Sequence, residues 1–182
     1  MFLLIEYLAI SALGINLFVS TFTEDSIKYN SIISQQSNLF TFCLISSCNG
    51  KVISTDKLVV STPIYNYKVI DINQDGVQDF CIGMIKTTRW NSIPQPKIHI
   101  YSHKNGKIYP IWRSSKIGKN LVDFDIDTSF GEKPGIKILE NPREKIYNIA
   151  LYHWKSFGLK FTKYLYTNLD SITSINLLRS KK

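Results

Sequence analysis

From residue 51 onward apolar and polar residues alternate with period two, punctuated by turn formers, which predicts antiparallel strands. The alternation places strands over residues 58–61, 67–72, 80–88, 97–103, 108–114, 122–127, 135–140, 146–154 and 159–166. Between two of them, Lys104-Asn105-Gly106-Lys107 carries the Asn-Gly pair that marks a tight hairpin. A break with Pro94 and Pro96 predicts a stiffened loop over residues 90–96, and residues 171–182 read as a short helix or a frayed tail. No strand–helix alternation occurs, which excludes the doubly wound nucleotide-binding folds.

Before residue 51 the pattern changes. Residues 2–22 are apolar on all sides apart from Glu6 and Asn16, long enough to cross a hydrocarbon core or serve as an export signal. Glu6 and the lack of an opening Lys or Arg leave a buried helix as the alternative reading. Further on, Ile45-Ser46-Ser47-Cys48 resembles the lipobox of bacterial lipoproteins, in which the cysteine is acylated and becomes the first mature residue. These features predict an export or membrane-proximal segment over 1–49, a folded body over 50–170 and a tail over 171–182, in a protein of the cell envelope or secreted from it.

Composition supports a β body. Aromatic residues make up 13% and alanines are few, favouring strands over a helical bundle. The net charge is +8: residues 1–50 carry −2 and the remainder +10. The lysines recur singly, as at Lys97, Lys104, Lys107, Lys116 and Lys119, as solvent faces of strands produce, so nucleic acid is not the expected partner. Cys43, Cys48 and Cys81 have neither the spacing of a zinc site nor that of a disulfide framework. His99 and His103 share one side of a strand around Tyr101 without a third ligand, and Trp112 and Trp154 read as packing residues.

The chemistry concentrates in Asp71-Ile72-Asn73-Gln74-Asp75-Gly76-Val77-Gln78-Asp79. Calcium takes six to eight oxygen ligands, and alternate side chains of a tight loop can face inward together. Asp71, Asn73 and Asp75 would supply side-chain oxygens, Val77 its carbonyl, and Asp79 a further carboxylate; Gly76 permits the turn. The place of an EF-hand's closing Glu is taken by Ile82, and the flanks read as strands. The pattern D-x-N-x-D-G-x-x-D between strands resembles the FG-GAP/VCBS-type repeat, the calcium loop of integrin-like β-propellers. That resemblance implies an all-β, antiparallel, propeller-blade-like fold, one structural calcium ion, and a binding role toward a protein or glycan ligand. A second copy at Asp125 and Asp127 lacks the other acids, with Ser129 and Lys133 in their places, and is expected to hold no ion.

The repeat spacing of 54 residues from Asp71 to Asp125 and 52 from Gly106 to Gly158 suits about two blades, too few to close a ring. Arg89 and Trp90 form a possible ligand loop able to grip a carboxylate or stack on a sugar. Two other functions remain open: a glycan-active hydrolase using Asp123, Asp125 or Glu140, and a basic nucleic-acid binder. No serine-nucleophile elbow, P-loop or His-Glu-x-x-His occurs.

Overall fold

The computed structural model describes residues 15–88, 91–113, 117–128 and 133–180. Among the described residues the chain is all-β: twelve strands and one short helix, with 73% of those residues in strands. The strands are β1 (Ile15–Glu24), β2 (Ile27–Gln36), β3 (Leu39–Cys48), β4 (Lys51–Val60), β5 (Ile64–Ile70) and β6 (Asp79–Thr88). They continue as β7 (Asn91–Lys104), β8 (Lys107–Arg113), β9 (Leu121–Asp127), β10 (Gly135–Arg143), β11 (Ile146–Lys155) and β12 (Gly158–Leu169), followed by α1 (Ser171–Arg179). They form three four-stranded sheets, β1–β4, β5–β8 and β9–β12, each an antiparallel meander in chain order. This is the predicted blade-like arrangement, with one more sheet than the alternation suggested.

Two-residue turns join many of the neighbouring strands. Asp25-Ser26, Asn49-Gly50 and Asn105-Gly106 all have both residues at positive φ, the backbone that matches the twist of the flanking strands. The Asn105-Gly106 turn falls where the sequence placed it.

The folded body does not begin near residue 50. Residues 15–48 are three strands, and the first meander is built mainly from them. β3 contains the Ile45-Ser46-Ser47-Cys48 stretch and is paired on both sides, Cys43 with Ile32 of β2 and with Lys57 of β4. Strands of a sheet covered on both faces read as continuous apolar runs rather than alternations, which is why period two failed here. The earlier part of the apolar segment, residues 1–14, lies outside the described residues. A second difference concerns residues 90–96. From Asn91 onward they belong to β7, and Pro96 pairs with Ile85. Prolines are accepted on a strand edge that needs no N–H donor. β7 has 14 residues and its other neighbour β8 only 7, so much of that edge has no strand beside it among the described residues.

The described residues divide into two compact units, those up to Ile64 with Ser102–Tyr109, and those of Tyr65–Tyr101 with those from Pro110 onward. In the first, Ile32, Cys43 and Ile45 form a core cluster. His103 is buried there, its ring 4.5 Å from that of Tyr29 and its Nε2 3.3 Å from Glu24. The β7–β8 turn is held by Asp56, which accepts the Ile108 N–H at 2.8 Å, and by Ser54, whose hydroxyl donates to the Gly106 carbonyl at 3.4 Å. A Cβ on Gly106 would lie 2.2 Å from Ser54 Oγ, so this glycine is required for space as well as for φ.

In the second unit Ile72, Cys81, Ile98, Ile100, Phe124, Ile136, Ile138 and Tyr152 form the main core. α1 caps a smaller cluster through Leu178 against Leu139 and Ile149. Its N-terminus is closed by Asp170, which accepts from the N–H groups of Ile172 and Thr173.

Candidate metal centre

The 71–79 loop leaves the end of β5 and returns at the start of β6. Its two limbs are pinned by burial: Ile72 is part of the main core, and Asp79 and Phe80 are fully buried. Between these anchors the exposed chain must reverse, and it does so through Gln74 and Gly76, at φ 63° and 87°. A Cβ on Gly76 would meet nothing within 4 Å, so the glycine is selected by its backbone angle and not by crowding.

The loop folds around its own carboxylates. Asp71 Oδ1 accepts the Asp75 N–H at 3.1 Å and its Oδ2 accepts the Gly76 N–H at 2.9 Å. Asn73 Oδ1 accepts the same Asp75 N–H at 3.1 Å, and Asn73 Nδ2 donates to Asp75 Oδ2 at 2.9 Å. Asp75 Oδ1 accepts the Val77 N–H at 2.9 Å. At the foot of the loop Asp79 Oδ2 accepts the Ile72 N–H at 3.2 Å, tying the two limbs. Asp71, Asn73 and Asp75 are thus brought together at the tip, while Asp79 turns inward beneath them. Burial, and to a lesser degree the Asp79 carboxylate, pushes the Cys81 thiol well above its usual range, which makes that sulfur inert.

As a donor set the loop suits a hard cation. Its polar side chains are carboxylates and carboxamides, its nine residues include three carboxylates and no Lys or Arg, and one carboxylate is buried at its base. Hydrogen bonds from the loop's own N–H groups and from Asn73 Nδ2 now balance that charge. Among the described residues no three His, Cys, Asp or Glu side chains gather closely enough to hold an ion between them. Asn73 and the Val77 carbonyl, which that grouping leaves aside, would therefore have to take part in any coordination.

The remaining candidates are dispersed. Arg89 and Trp90 lie outside the described residues, as does Ser129. Asp123 and Asp125 are consumed by a polar network across β5, β9 and α1. Asp123 accepts from Asn66 Nδ2 at 2.7 Å and pairs with Arg179, while Asp125 pairs with Lys68 at 2.7 Å and with Arg179 at 3.7 Å. Glu140 is 1% exposed and accepts from the Tyr152 hydroxyl at 3.2 Å. These carboxylates are tied to cations or sealed in the core, which does not suit a glycosidase pair flanking a sugar. Sequence reasoning missed the anchoring of the loop by Ile72. Its signal was available: an apolar residue isolated among four polar ones, Asp71 and Asn73-Gln74-Asp75, marks a point where the chain dips into the core. The chain matches no protein-family model, no curated protein and no solved structure.

Proposed function

We propose that this chain is a non-enzymatic, blade-like β module of the FG-GAP/VCBS type whose 71–79 loop binds one structural calcium ion. The observation that carries this reading is the loop itself: Asp71, Asn73 and Asp75 are drawn together at a glycine turn, above the buried Asp79, on a connection between two strands. Asp71, Asn73, Asp75, Asp79 and the Val77 carbonyl would hold the ion. Bound there, it would neutralise the clustered carboxylates and fix the β5–β6 connection. The module would recognise a protein or glycan ligand. We place it in the cell envelope or outside the cell, where calcium modules work with Kd values of about 10⁻⁴–10⁻³ M.

Thermal melting tests this reading. An ion that binds only the folded chain adds about 1.4 kcal/mol when present at tenfold its Kd. Tm should rise with calcium and return with EDTA. Asp75→Ala should abolish the difference while lowering the metal-free Tm only slightly, because the two hydrogen bonds it accepts, from Asn73 and Val77, are exposed to solvent. Equal melting with and without calcium would refute the proposal, and release of sugars from a glycan panel would favour the hydrolase instead.

A further inference from the structure

Among the described residues the most exposed large apolar side chain is Phe157, 82% accessible at the tip of the β11–β12 hairpin. Lys155 pairs with Gly158 across this turn, so Ser156 and Phe157 are its two loop residues. Such turns ordinarily take Asn, Asp or Gly. The tip is shaped without help from the phenyl ring. Ser156 adopts φ 60°, its carbonyl accepts the Trp154 indole N–H at 3.1 Å, and Trp112 fills the space beside Gly158, where a Cβ would lie 2.6 Å from Nε1. A rigid turn therefore projects an aromatic ring into solvent.

The hairpin's own charges are all of one sign. Residues 146–169 contain Lys155, Lys160 and Lys163 and no Asp or Glu, and Lys155 and Lys160 are exposed on either side of the ring. We propose that this hairpin tip docks on anionic phospholipid, with Phe157 entering the interfacial layer and Lys155 and Lys160 reaching the headgroups. An aromatic residue with an apolar body settles at that depth, and lysines beside an apolar anchor add attraction to a negative leaflet.

A single-stranded nucleic acid fits the same surface less well. It needs stacking rings and cations along one groove. Here the strand register separates them: Phe161 and Tyr164 stand opposite Tyr152 and Ala150 on one face, while Lys160 and Lys163 stand opposite His153 and Leu151 on the other. Only at the tip do ring and charges come together.

The test is sedimentation of the full chain with vesicles of phosphatidylcholine alone or with roughly a third phosphatidylserine, at millimolar lipid because one ring and a few lysines give only marginal binding. EDTA is present throughout, so the result is independent of the calcium reading. Binding should require phosphatidylserine and weaken with salt. Phe157→Ala should lower the partition about tenfold, and Lys155→Gln and Lys160→Gln about fivefold each. Because these side chains are exposed, the variants should melt like the parent chain. Equal sedimentation with both lipids, or full binding by Phe157→Ala, would overturn the proposal. So would Phe157-dependent binding to oligothymidylate in place of vesicles.

Discussion

Phe124→Ala should cost the second unit about 3–5 kcal/mol, the range for deleting a fully buried phenyl ring whose site cannot collapse. Phe124 has no exposed surface and lies in β9 at the centre of the main core. Its ring meets Tyr65 edge-on, with centroids 6.4 Å apart. The opposing strand makes room for it with Gly83, where a Cβ would lie 2.9 Å from Phe124 Cε1 and 2.7 Å from Tyr65 Cζ. The backbone around Phe124 is fixed independently, its carbonyl accepting from Asn66 Nδ2 at 2.7 Å, so the strand resists closing the void. Urea unfolding should show the loss as a lower midpoint. Gly83→Ala should be destabilising in the parent chain and less so beside Phe124→Ala, since one of its two clashes is then gone. A loss under about 1 kcal/mol for Phe124→Ala would mean that the core is not packed as described.

The second large effect is a pH dependence. His99, 7% exposed on β7, has its pKa lowered to about 4 by burial, and to a lesser degree by the positive charges of Lys86, Arg113 and Lys97. The folded state keeps the ring neutral, whereas the unfolded chain takes up a proton below about 6.5. Between those values the unfolded state binds more protons, so stability is full above pH 6.5 and is lost as pH falls toward 4. The loss should reach about 2 kcal/mol at pH 5 and about 3 kcal/mol once pH is below the folded value. Comparing urea stability at pH 7 and pH 5 for the parent and His99→Gln isolates this residue from other groups. The parent should lose more than the variant, and equal losses would contradict the burial of a neutral imidazole.

How much of this was readable in the chain depends on which faces of a strand are covered. The Asn105-Gly106 turn and the strands of the β9–β12 sheet were legible because their alternation or turn chemistry is local. β2 and β3 were not. Their runs Ile32-Ile33 and Phe42-Cys43-Leu44-Ile45 are buried on both faces, so the period disappears and an apolar segment resembles a signal sequence. The turn signal at Asn49-Gly50 was present, but the resemblance of Ile45-Ser46-Ser47-Cys48 to a lipobox placed the start of the body there instead. The Asp25-Ser26 turn contains no glycine and offered little. Prolines in β7 suggested a loop because tolerance of proline depends on which neighbour a strand lacks, and that is a property of the sheet.

The loop at 71–79 was legible as a pattern because oxygen donors at alternate positions around a glycine are a local feature. What the sequence could not supply was its support from below, since Ile72 is buried in a cluster with residues far along the chain, such as Phe124 and Ile136. The same holds for the discarded acids. Asp123 and Asp125 alternate suggestively in sequence, yet Lys68 and Arg179, which neutralise them, are brought there only by the fold.

Equilibrium dialysis of the chain against radioactive calcium asks the central question directly. One ion should be retained per parent chain, and none by Asp71→Ala or Asp75→Ala, both of which should still fold. Retention of no calcium by the parent at millimolar free ion, or undiminished retention by both variants, would contradict the assignment of this loop.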